Sequence, residues 1–231
     1  MGDPDIRKIE RVKKHLNGHL NETSFKDGIV IDVGGISEYY HMLEPLFLPA
    51  RLYILNIDPE SLNGVPSIVA SALHLPFKDQ TLDVITSFDV LEHLLQPEKF
   101  ISEASRVLRP DGLFVLAIAN LADIYSRIAF LFGYTPVSYD PTTCKVGSLA
   151  KIKTTERRHK SVFTYRATKE LLDYYGFQII GSCGYHYVES FYHHLGKQKE
   201  RELGFGTLRR LLGAITPTSL SEGMILFCKK M

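Results

Sequence analysis

A chain of 231 residues that is 45% hydrophobic and 23% charged has the makeup of an ordinary globular protein, long enough to bury a full core. Its net charge of +1 supplies no global field for nucleic acid or an acidic membrane, so any anion preference must come from local patches. Cys144, Cys183 and Cys228 are too scattered for a disulfide framework or a zinc site, and no apolar run approaches the ~18 residues of a membrane span. The expectation is a soluble cytoplasmic protein that holds no metal, binds no nucleic acid and does not insert stably into a membrane.

In chain order, residues 1–20 contain a basic amphipathic helix over 5–17. Ile6, Ile9, Val12 and Leu16 fall at helical spacing, with Arg7, Lys8, Arg11, Lys13 and Lys14 between them. The cations are expected to form a solvated face while the apolar stripe packs on the main domain. A membrane-surface or anion-binding role is the alternative.

From residue 28 the pattern alternates. Strands are expected at 29–33, 52–57, 67–70, 82–87 and 113–119. Helices fall at 37–44, stopping near Pro45, and at 98–108, which leads through the turn Arg109-Pro110-Asp111-Gly112 into the fifth strand. Near-continuous apolar strands such as Ile29 to Val33 suit a parallel sheet covered on both faces, and the α/β alternation argues for a doubly wound fold.

The rhythm breaks over 120–165. An apolar helix from Leu121 to Phe132 precedes a loop rich in Gly, Pro and Ser. The run KIKTTERRHK at 151–160 follows, setting Lys151, Lys153, Arg157, Arg158 and Lys160 against Glu156. This insertion reads as a lid or substrate element, with Tyr125, Phe130, Phe132, Tyr134 and Tyr139 available to enclose an acceptor or to form its own small core. Helix 167–175, a C-cap at Gly176 and a strand at 177–182 resume the fold. A helical tail at 197–213 and a last strand from Met224 to Cys228 complete it, with no internal repeat.

The chemistry-bearing residues cluster at strand ends. Asp32 is an acid inside an apolar strand, costly to bury without a partner, and Gly34 and Gly35 follow it. The second strand closes on Ile57, Asp58 and Pro59. Asp58 is placed either to accept the two hydroxyls of a ribose or to cap a helix that opens on Pro59. A βαβ unit with these features points to a nucleoside-bearing small molecule. The nicotinamide fingerprint G-x-G-x-x-G is not supplied by residues 34–39.

The stretches VIDVGG, NIDPE, ASALHLPFKDQTLDVITSFDVLEHL and VLRPDGLFVLAIAN resemble the class I S-adenosylmethionine-dependent methyltransferases, especially the small-molecule branch related to ubiquinone-pathway enzymes. HKSVFTYRATKELLDYYGFQII continues the likeness more weakly. The resemblance implies a single domain with a Rossmann-like seven-stranded sheet, S-adenosylmethionine as cofactor, and methyl transfer to a small-molecule, lipid or saccharide-type acceptor, in a monomer or homodimer. It also implies that Asp32, Gly34 and Gly35 line the methionine end and ribose, that Asp58 takes the ribose hydroxyls, and that Ile57 or Pro59 lies beside the adenine. Ala72 and Leu73 would flank the adenine ring, with Ser71 or a backbone carbonyl standing in as acceptor for the adenine amine where the family often has an acid, and Phe88 and Asp89 would sit beside the methionine portion. His93, His159 and Tyr165 are the candidates for a catalytic base, and the basic run is a candidate holder of an anionic acceptor. Against the family's D-x-G-x-G-x-G loop this chain either carries Ile36 and Glu38 at the later glycine positions or has a loop one residue shorter. A catalytically weakened cofactor-binding protein is therefore the alternative.

Overall fold

The computed structural model describes residues 6–19, 27–136, 159–185 and 216–231. Seven strands form one sheet: β1 (Ile29–Val33), β2 (Arg51–Asn56), β3 (Ser67–Val69), β4 (Leu82–Phe88), β5 (Leu108–Ala119), β6 (Phe177–Tyr185) and β7 (Gly223–Lys230). Their order is β3-β2-β1-β4-β5-β7-β6, with β7 antiparallel to both neighbours and the other pairings parallel. Chain order reverses between β1 and β4, and in such sheets the crevice outside the carboxyl ends of the strands at that point is where ligands bind.

Among the described residues five α-helices accompany the sheet: α1 (Ile6–His19), α2 (Ser37–Phe47), α3 (Pro97–Val107), α4 (Ile124–Leu131) and α5 (Tyr165–Tyr174). Alternate strand residues point to opposite faces. Ile31, Ile85, Leu116 and Leu226 join Phe100, Ile101 and Ala104 of α3 and Leu172 of α5 in one core. Val30, Val84, Val115 and Phe227 join Ile9, Val12 and Leu16 of α1 and Leu43 and Phe47 of α2 in the other. Covering both faces lets the strands be apolar almost throughout.

Three expectations need correction. The second helix runs two residues past Pro45, because Phe47 gains full burial on the α1/α2 face, which outweighs the single backbone bond the proline ring forfeits. The fifth strand begins at Leu108 rather than after the Arg109–Gly112 turn. Leu108 pairs with Leu82, and the register shifts before Val84 meets Leu113, so the turn residues sit inside the strand as an irregularity. The cations of the first helix are not uniformly solvated, since Lys8 is 2% exposed while Lys13 and Lys14 face solvent. Tyr139, residues 151–158 of the basic run and the expected helix at 197–213 lie outside the described residues. No described helix is long and apolar enough to cross a membrane.

Candidate functional site

Asp32 is the fourth residue of β1 and the register partner of Thr86 on β4. Both point to the α1/α2 face, and the Thr86 hydroxyl donates to Asp32 Oδ1 at 2.6 Å. Asp32 is fully buried, and its Oδ2 has no hydrogen-bond partner. Burial pushes its carboxyl up to about 7 against the opposing pull of the Thr86 hydroxyl. The loop above it is shaped by its glycines. Gly34 has φ +78 and donates its N–H to Leu55 O, and a Cβ there would run into Val90. A Cβ on Gly35 would run into Asp32 Oδ2 itself. Ile36 stands in extended backbone, and Glu38 is exposed, accepting from the Ser37 hydroxyl.

Asn56, at the end of β2, was not singled out from sequence. Its side-chain amide donates to the carbonyls of Gly34 (3.3 Å) and Gly35 (2.9 Å), and its Oδ1 accepts from the N–H of Asp58. One side chain thus ties the glycine loop to the second strand's end. The available signal was an amide closing an otherwise apolar strand. Ile57 is 73% exposed beside it. The Asp58 carboxylate caps the short 3-10 helix Pro59–Leu62, accepting from Glu60 N–H at 3.1 Å and from the Ser61 hydroxyl at 2.9 Å. The capping role is therefore present. Each carboxylate oxygen has a second lone pair, and Asp58 is exposed, so ribose hydroxyls remain compatible with it. Across the next connection Ser71 closes a turn, its hydroxyl accepting from Leu73 N–H and its carbonyl from His74 N–H, with Ala72 and Leu73 half-buried against the core.

Beyond β4, Phe88 is buried and stacks on Tyr39 of α2, with centroids 5.6 Å apart. Asp89 has φ +54 and is held by the ammonium of Lys8 and the hydroxyl of Tyr185, the latter at 3.1 Å. All eleven residues proposed for the cofactor thus lie at the carboxyl ends of β1 to β4 or in the loops that follow.

The candidates for a base separate. His93 and His159 meet edge to face, with ring centroids 5.1 Å apart. Tyr165 opens α5 and packs against the core on the α3/α5 face, opposite the face that holds Asp32. Sequence reasoning passed over Glu92. It is 1% exposed, accepts from Ala119 N–H at 3.2 Å through Oε1, and has no partner for Oε2. Burial, reinforced by the nearby Asp89 carboxylate, pushes it up to about 8. Its carbonyl accepts from the N–H groups of Lys160 and Ser161, bringing the returning chain to this spot. An acid between apolar residues in Val-Leu-Glu-His-Leu was the available signal. Among the described residues no group of three or more His, Cys, Asp or Glu side chains is arranged to hold a metal.

Residues 31–116 match the family model of the methyltransferase domain. An uncharacterized methyltransferase from Mycolicibacterium gilvum is 34% identical over 106 residues, covering 41% of this chain and 40% of that protein. A protein from Mycobacterium tuberculosis, named as a probable S-adenosylmethionine-dependent methyltransferase, is 39% identical over 70 residues, covering 30% of this chain and 23% of its own length. The chain spans less than half the length of these curated relatives. The crystal structure of an S-adenosylmethionine-dependent methyltransferase from Archaeoglobus fulgidus superposes with a TM-score of 0.59 over 96% of this chain and 94% of that one, at 16% identity. The fold is the Rossmann-like methyltransferase fold.

Proposed function

We propose that this protein is a class I S-adenosylmethionine-dependent methyltransferase, with S-adenosylmethionine as its cofactor and a small-molecule, lipid or saccharide-type acceptor. The observation that carries the reading is the buried Asp32 carboxyl, with one unpartnered oxygen beneath a glycine loop, at the point where chain order reverses in a sheet of methyltransferase type. The domain match over 31–116 and the relatives named as methyltransferases support it. The finer kinship with the ubiquinone-pathway branch rests on the phrase from Leu75 to Leu94.

The bound cofactor supplies a methyl group already activated on a sulfonium. The chain's task is then to hold donor and acceptor in line and to exclude water. Asp32 would face the positive amino-acid end, with Gly34 and Gly35 allowing close approach. Asp58 would take the ribose hydroxyls, with Ile57, Pro59, Ser71, Ala72 and Leu73 around the adenine and Phe88 and Asp89 along the methionine portion. A base is needed only for an acceptor that loses a proton. Paired His93 and His159, at the start of the return from the 120–165 insertion, are the site's candidates for that task and for contact with an anionic acceptor. Ile36 stands in extended backbone and Glu38 is exposed, an arrangement that a working methyltransferase and a catalytically weakened binding protein would share, so methyl turnover is what separates the two readings.

Titration calorimetry with S-adenosylmethionine and S-adenosylhomocysteine tests the reading. Micromolar binding is expected, weakened roughly 10-fold in Asp58→Ala, which loses both the cap and the ribose acceptor. Absence of binding to both ligands would overturn the reading. Binding without methyl turnover over a broad acceptor screen would favour the weakened-protein alternative.

A further inference from the structure

Lys8 is the only cationic side chain among the buried described residues. Removing an ammonium from water is costly unless it is paired, and an apolar residue of similar size would pack there with no such cost. The surroundings are shaped to keep it. Its ammonium donates to Asp89 and lies 4.9 Å from the centroid of the Tyr185 ring, whose hydroxyl also donates to Asp89. That ring crosses the sheet where Gly223 of β7 has no Cβ to obstruct it. One helical turn along α1 from Val12, His15 stacks on Phe227 at 3.7 Å, over Gly181, where again a Cβ would collide. Arg11 donates to the carbonyl of Gly184. Two glycines and two aromatic rings therefore seat α1 so that Lys8 arrives at the carboxyl end of β4.

That position adjoins the glycine loop. Asp89, which holds Lys8, is followed by Val90, whose side chain lies against Gly34 above Asp32. Beside it, Asp32 and Glu92 each keep a buried carboxyl oxygen without a partner, an acceptor whether or not the group carries its proton. Unsatisfied carboxyl oxygens beside one buried ammonium complement a ligand bearing an ammonium and a carboxylate together, that is, an α-amino acid end. We infer that Lys8 is the residue that binds the carboxylate of the cofactor's amino-acid end, delivered from α1 and held in place by Asp89 and Tyr185. This inference rests on the cofactor reading above.

The test is calorimetry on the full chain with two ligands, S-adenosylhomocysteine and 5′-methylthioadenosine, which keeps the adenosine and thioether but lacks the amino-acid end. Lys8→Met is expected to weaken S-adenosylhomocysteine roughly 10- to 100-fold while leaving 5′-methylthioadenosine within about 2-fold. Retained binding of the shorter ligand shows that the variant is folded. Lys8→Gln carries the same expectation and serves if Lys8→Met does not fold. An unchanged ratio of the two affinities in either folded variant would overturn the role of Lys8, whether both affinities persist or both fall, and leave the cofactor reading standing. Failure of the wild-type protein to bind either ligand would overturn the cofactor reading and the role of Lys8 with it.

Discussion

The two edges of the sheet use the same side chains to opposite ends. At the amino edge, where α3 ends and β4 and β5 begin, the carboxylates of Asp79, Asp83, Glu103 and Asp111 are all paired. Asp83 accepts from Ile29 N–H at 2.7 Å and pairs with Arg109 at 2.8 Å. Glu103 pairs with Arg106, which also reaches Asp79 and the carbonyls of Leu75 and Phe77. Lys229 pairs with Asp111. The Arg106 guanidinium holds the Glu103 carboxyl below its ordinary value. At the carboxyl edge, burial instead raises Asp32 and Glu92, and each retains an unpartnered oxygen. A satisfied carboxylate stabilises the fold, whereas an unsatisfied buried one costs stability.

The contrast can be broken most forcefully at the glycine loop. Gly35→Ala places a methyl against Asp32 Oδ2, so the loop or the buried carboxyl must shift. It is expected to lower S-adenosylhomocysteine affinity more than ~100-fold in calorimetry and to cost about 1–3 kcal/mol in urea unfolding. Preserved affinity would mean the ligand does not use this loop.

The amino edge should show the reverse pattern. Asp83→Ala strips an acceptor from Ile29 N–H and a partner from Arg109. It should cost about 1–3 kcal/mol in urea unfolding while ligand affinity stays within about 2-fold. A matching loss of affinity would erase the distinction between the edges.

pH sharpens the comparison at Glu92. Its folded-state value, about 8, lies above the ordinary 4.5, so between those values the folded protein retains a proton that the unfolded chain releases. Stability from this group is therefore greatest below about 4.5 and is lost as pH rises toward about 8. Glu92→Gln removes that slope. Relative to wild type, the variant is expected to gain about 1–3 kcal/mol between pH 5 and pH 8.5, read from urea midpoints at the two values. Parallel pH profiles would show that Glu92 titrates normally. The smallest effect belongs to the solvated helix face. Lys169→Ala removes an exposed pair with Asp173, and the unfolding midpoint should not move measurably.

Much of the fold was legible because it depends on local pattern. Apolar runs bounded by glycine, proline and acids located all seven strands, and Asp58 caps the short helix that follows it. The capping role of Asp58 was also legible, since a short helix that opens on Pro59 calls for a side-chain acceptor just before it. Lys8 was misread because a lysine on an amphipathic helix is ordinarily solvated. What buries it is Asp89, 81 residues away, together with a tyrosine on β6. Glu92 was overlooked for the same reason, because its burial depends on the end of β5 and on residues 160–161 folding over it.

By itself, then, the sequence determined the α/β alternation, the positions of the strand ends and the residue types gathered there, since backbone preference and apolar period act over a few residues. Tertiary structure alone decided which of those polar groups are neutralised and which are left unsatisfied. That outcome depends on how close distant segments approach and how completely they exclude water, and neither quantity is written in local spacing.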